Sequence, residues 1–294
     1  MRSLNSLIQF AQKKNLSVPE AALQRDAKET GLAAEDVRKK IMLRLADMER
    51  SVLEASVNKA ECNLVPHTGE KLLSYAEKNK GYSGDFIMRA SAIALEVATY
   101  NASMGRIVAA PTAGSCGILP GLLFAWKEFY GREDAEEKMV DALITACAVG
   151  EVVAERATLA GAEGGCQAEC GAAAAMGSAA LVQLRGGSGE AMSNAVAITF
   201  KSVLGLVCDP VAGLVESPCI KRNGVLVASS AISADMALAG IESIIPADEV
   251  IDTMGRVGRM IPPALRETSL GGLSITATAK KLVKDIKKKN QPPQ

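Results

Sequence analysis

Seven cysteines and one histidine set the chemistry this chain can carry. The single histidine, His67, excludes most zinc arrangements and any site that needs two imidazoles. It stands in the polar loop Pro66-His67-Thr68-Gly69, where it can act as a base or simply face solvent. Three cysteines lie at chain breaks beside glycine or proline. Cys166 follows Gly161-Ala162-Glu163-Gly164-Gly165, with Cys170 one helical turn further on. Cys208 opens Cys208-Asp209-Pro210-Val211-Ala212-Gly213, and Cys219 follows Pro218. Thiols at helix starts and glycine turns are accessible, and open backbone N–H groups there favour the thiolate. Soft thiolates select zinc or iron–sulfur clusters. The paired C-x-x-C of a zinc ribbon and the ferredoxin spacing are both absent, so spacing alone leaves a metal site and inert buried thiols as open readings. Cys62 and Cys147 fall in helix-like segments and read as small buried hydrophobes.

A second candidate is the loop Ala110-Pro111-Thr112-Ala113-Gly114-Ser115-Cys116-Gly117. Its glycines and hydroxyls can present N–H and O–H groups to an anion such as a carboxylate. A purely structural tight turn is the competing reading. No P-loop or Rossmann spacing is present, because the glycine clusters join helices.

The elements that must position these residues follow from composition. The 294 residues are 48% hydrophobic but only 3% aromatic, which excludes disorder and predicts an all-α fold rich in Ala, Val, Leu, Ile and Met. Lys plus Arg and Asp plus Glu are equal at 33 each, which argues against a general nucleic-acid or membrane-surface binder. The cysteines are too irregular for a secreted disulfide framework, and the N-terminus has no apolar signal core; a soluble, cytoplasmic protein is expected. The uncharged run Ile107 to Trp126 is interrupted by Pro111, Pro120 and glycines, so it reads as a buried functional loop between helices.

Periodicity predicts helices over Ala33–Lys59, from a start at Ser83-Gly84-Asp85 through Ile87 to Tyr100, and over Glu133–Arg156, Glu190–Leu206, Ala231–Ile241, Ala247–Met260 and Ala277–Lys288. The Ala/Gly-rich stretch from Gly161 to Gly189 reads as the packed centre of a helical bundle. Only Arg106–Ala110 and Val225–Ala228 look β-like. The expected organisation is an N-terminal helical segment (1–62), a helical catalytic domain (63–288) and a solvated tail (289–294).

The stretches APTAGSCGILPG (110–121), GAEGGCQAECG (161–171), LGLVCDPVAGLVESPCIKRN (204–223) and RETSLGGL (266–273) closely resemble the α chain of iron–sulfur-dependent L-serine dehydratase. The resemblance implies an all-helical lyase holding a 4Fe–4S cluster through Cys166, Cys208 and Cys219. Cys170 is not a ligand in that reading, since relatives can carry Val there. One iron is then left open for substrate, and no pyridoxal-phosphate lysine is required. Thr112, Gly114 and Ser115 are expected around the substrate carboxylate, with Arg222 or Arg266 as a bidentate cation. Asn223 and Thr268 are expected to make further polar contacts. Glu163 and Glu169 either orient groups around the cluster or lie on a helix surface.

Two departures stand out. Arg156-Ala157-Thr158-Leu159-Ala160-Gly161 replaces the Asn-Ala-Ser-Ile-Ser-Gly of many relatives, and the terminal KKKNQPPQ lacks the cysteine of single-chain forms. Two-chain relatives pair this chain with a β chain, so a β-chain partner is expected, together with a base or lid residue contributed by it. The competing functions are a related cluster-dependent lyase on L-cysteine or L-threonine, and a non-catalytic iron–sulfur sensor.

Overall fold

The computed structural model describes residues 2–58, 62–66 and 68–289. His67 and the end of the tail, 290–294, lie outside the described residues. The architecture is an all-helical single domain. Among the described residues no helix is long and apolar enough to cross a membrane.

Three helices open the chain: α1 (Leu4–Lys14), α2 (Val18–Thr30) and α3 (Ala34–Val57). Ser17 and Glu20 start α2 with a reciprocal capping box, which satisfies two otherwise orphaned N–H groups. The first turn of α1 is held from far along the chain. Asp248 accepts from the Leu4 and Asn5 N–H groups at 2.8 and 3.1 Å. Next come α4 (Thr68–Lys78), α5 (Gly84–Ala102), α6 (Ile118–Tyr130) and α7 (Ala135–Arg156). The short α8 (Gly161–Gly164) and a π-turn, Gln167–Gly171, lead into α9 (Ala172–Leu184). Then follow α10 (Gly189–Val203), α11 (Cys219–Leu238), α12 (Ala247–Met260) and α13 (Ala277–Lys289).

Helix α9 is the centre of the bundle. Its sequence, AAAAMGSAALVQL, is buried on every side except at Gln183, and it packs against α6, α7, α10 and α11. Alanine and glycine let four helices approach one at close range, which a uniformly large-residue helix would prevent. The core is continuous from Leu4 and Leu7 of α1 through α9 to Met254 of α12.

Four expectations are corrected. The Val225–Ala228 run is helical, inside α11, which begins twelve residues before the expected start at Ala231. Asn223, Leu226, Val227, Ser230 and Ala234 are buried while Val225 is exposed, so helical periodicity of burial outweighs the β-branched preference. The loop expected over Ile107–Trp126 ends at Gly117. Beyond it α6 is helical, because Pro120 falls in its first turn, where a missing N–H leaves no intrahelical bond unmade. Cys62 lies outside any helix, in hydrogen-bond range of the Thr99 carbonyl at 3.5 Å. Arg106–Ala110 is irregular and joins no strand. Among the described residues the only β contact is an isolated parallel bridge between Cys208 and Arg266.

Candidate active site

The bridge between Cys208 and Arg266 ties together two of the segments that resemble the family. The Cys208 N–H donates to the Leu265 carbonyl at 2.9 Å, and the Glu267 N–H donates to the Cys208 carbonyl at 2.7 Å. Cys219 is the first residue of α11, where the helix N-terminus favours negative charge. Cys166 is delivered by Gly165, whose φ of +75° breaks the chain between α8 and the π-turn. A Cβ at Gly165 would also come within 2.8 Å of the Leu206 carbonyl, so only glycine serves there.

The thiols of Cys166, Cys208 and Cys219 interact electrostatically with one another. Hydrogen bonding to Cys170 lowers the Cys166 thiol below its ordinary value; burial opposes this and Arg222 reinforces it. The same bond, followed by burial, raises Cys170. Burial raises Cys208, and it pushes Cys219 up to about 12. Among the described residues no three or more His, Cys, Asp or Glu side chains close into a single-ion site.

Glu169 connects the thiols to the loop before α6. Its carboxylate lies 3.9 Å from the Cys208 sulfur and is hydrogen-bonded by Thr112. Burial raises its pKa, against the opposing effect of the Thr112 bond. Gly161 packs against this carboxylate, which brings the altered 156–160 stretch just before it to the edge of the site. Glu163 points elsewhere and accepts from the Thr158 hydroxyl at 2.6 Å.

The other candidates divide into committed and open groups. Ser115 is fully buried, and its hydroxyl bonds the loop's own backbone at Thr112 and Ala110. Asn223 is also fully buried; it donates to the Gly114 and Cys219 carbonyls at 2.8 and 2.9 Å and accepts from the Gly117 N–H at 3.0 Å. It fastens the loop to α11. Thr268 donates to the Pro263 and Ala264 carbonyls and shapes its own turn. Arg222 is engaged by the Val207 carbonyl at 2.7 Å, Asp209 at 3.0 Å and Cys166. Arg266 differs: one terminal nitrogen reaches the Glu163 carbonyl at 3.3 Å, while its buried Nε has no partner among the described residues.

The sequence of this chain has counterparts among known proteins. A family model described as the serine dehydratase alpha chain matches residues 13–274. The chain belongs to the serine dehydratase alpha-chain family. The probable L-serine dehydratase alpha chain of Bacillus subtilis is 44% identical over 291 residues, which are 97% of this chain and 95% of that relative. The L-serine dehydratase alpha chain of Peptoniphilus asaccharolyticus is 41% identical over 98% of this chain and 99% of its own length. The L-serine dehydratase of Mycobacterium bovis is 44% identical over 62% of this chain but only 40% of its own length.

Within this family member, sequence reasoning did not find Asp209 as the partner of Arg222. Asp209 is 3% exposed and also accepts from the Leu273 N–H at 2.8 Å. Its place in the Cys208-Asp209-Pro210 motif was visible, but nothing local shows what it holds. Glu216 was also missed. Only 2% exposed, it accepts from the Asn63 and Leu64 N–H groups at 3.1 and 2.5 Å, which pins the segment after α3 beside Cys219.

Proposed function

We propose that this chain is the α subunit of an L-serine dehydratase that holds a 4Fe–4S cluster through Cys166, Cys208 and Cys219 and converts L-serine to pyruvate and ammonia. The observation that carries the reading is the meeting of the four matched segments in one place: Cys208 bridges to Arg266 through the backbone, its sulfur lies 3.9 Å from the Glu169 carboxylate, and Asn223 ties Gly114 to Cys219. Two nearly full-length relatives bear the L-serine dehydratase alpha-chain name. The donor set fits the group. Cysteine thiols are the donor type an iron–sulfur cluster takes, and Arg222 supplies a positive charge beside Cys166.

When bound through three protein thiolates, such a cluster supplies an open, Lewis-acidic iron. The chain's own residues do the rest. We assign the Arg266 guanidinium to the substrate carboxylate, with the Thr112–Gly114 backbone as a second anchor. Asn223 and Ser115 do not touch substrate; they hold that loop in place. Arg222, fixed by Asp209, stabilises negative charge on Cys166. Loss of the Cα proton and of the β-hydroxyl releases water and leaves aminoacrylate. Its imine tautomer takes up water and yields pyruvate and ammonia. We assign the base, or a residue that closes over the site, to a separate β chain.

The test is pyruvate release from L-serine by anaerobically prepared chain, alone and with its β chain. The expected result is turnover only with the β chain, with 2-oxobutyrate from L-threonine and sulfide from L-cysteine formed more slowly. Full turnover by the isolated chain would refute the assignment of the base to the partner, and no turnover in either state would refute the lyase reading.

A further inference from the structure

Behind the Thr112–Ser115 loop lies a cavity of about 600 Å³ that the proposed reaction does not use. Its walls are α3, α7 and the segment 106–111, and its lining is mainly apolar, with Ile41, Met48, Val108, Leu143, Leu159 and Met176 prominent. That volume lies within the range of about 300–1,000 Å³ typical of small-molecule sites. A cavity of this size lined by aliphatic groups calls for an apolar ligand body.

The mouth is not neutral. Arg44, Arg50 and Arg106 converge on the single carboxylate of Asp47, at 3.0, 3.2 and 3.7 Å. One carboxylate faces three guanidinium groups, so two positive charges are in surplus. All three arginine side chains are half or more exposed, which leaves them free to turn toward an incoming anion. The other acid of the lining, Glu151, is already paired with Arg2 and with Arg25. Cys147, in the α7 wall, contributes no charge, because burial pushes its thiol up to about 12.

We propose that this cavity is a binding site for a small amphipathic carboxylate, with its aliphatic body between α3 and α7 and its carboxylate at the Arg44–Arg50–Arg106 rim. Bidentate guanidinium–carboxylate pairing supplies the polar half of recognition. The apolar half grows with chain length, by up to roughly fourfold in affinity per added methylene. The site includes Ala110 and Pro111, immediately before Thr112, and the Ala110 carbonyl accepts from Ser115. An occupant therefore braces the backbone that carries the candidate carboxylate-binding loop. Binding here involves none of the cluster thiols, so it is measured without turnover.

The experiment is isothermal titration of the full chain with octanoate, octanol and octylammonium at low ionic strength. Saturable one-to-one binding of octanoate is expected, with octylammonium weaker by at least about tenfold. Ala154→Trp places a large side chain at an exposed position of the α7 wall and should abolish binding. The double variant Arg50→Ala/Arg106→Ala should weaken octanoate by about tenfold and leave octanol unchanged. Absence of saturable octanoate binding overturns the proposal, as does equal affinity for octylammonium. Undiminished binding in Ala154→Trp with an unchanged helical spectrum places the ligand elsewhere and also overturns it. If Ala154→Trp does not fold, the arginine double variant, altered only on exposed side chains, decides the matter.

Discussion

Asp209 accepts from Arg222 on one side and from the Leu273 N–H on the other, in surroundings that leave it 3% exposed. Asp209→Ala would leave a half-buried guanidinium without its carboxylate and a backbone donor without its acceptor. The expected loss is about 3 kcal/mol of stability, measured by denaturant unfolding. Asp209→Asn keeps one acceptor and should cost less. The sequence made the thiols and the two arginines visible as types, but not their division of labour. Arg222 and Asp209 meet through the turn between the Cys208 motif and α11, and no local pattern reports that pairing. Arg266 was equally ambiguous in sequence; what separates it from Arg222 is the unpartnered Nε, a property of the folded site alone.

Among the elements, the junction between α5 and α6 leaves no room for added side-chain volume at Gly117. Gly117 lies directly against the Ala94 carbonyl of α5 and donates its N–H to Asn223. In Gly117→Ala the new methyl would run into that carbonyl, and the two helices would have to separate. The expected destabilisation is about 2 kcal/mol, with a lower melting temperature, because backbone rather than a flexible side chain must give way. Boundaries set by local chemistry were legible: α12 occupies Ala247–Met260, right after Pro246, as its periodicity predicts. The Ala/Gly-rich centre was legible too, because α9 shows its burial in composition alone. The start of α11 was not. Its first two turns carry site residues, so the motif obscured the helix, and Val225 and Val227 mimic a strand until their unequal burial is known.

Over the whole molecule one core links the N-terminal helices to the bundle. Leu4 and Leu7 of α1 are 1% and 2% exposed, and α1 packs on α7, α10 and α12. Leu7→Ala should therefore destabilise the entire fold by about 3 kcal/mol in a single cooperative transition. A separate early transition would instead mean that α1 melts on its own. The all-helical class was readable from composition, whereas the route by which Asp248 of α12 caps α1 was not, since it spans nearly the full chain. The proposed activity depends on three distant cysteines holding one cluster. Iron and sulfide analysis of anaerobically reconstituted chain tests it most directly, comparing the parent with Cys166→Ser, Cys208→Ser, Cys219→Ser and Cys170→Ser. About four irons per parent chain are expected, with loss of iron in each of the first three variants and retention in Cys170→Ser. An iron-free parent, or full loading in any of those three, would contradict it.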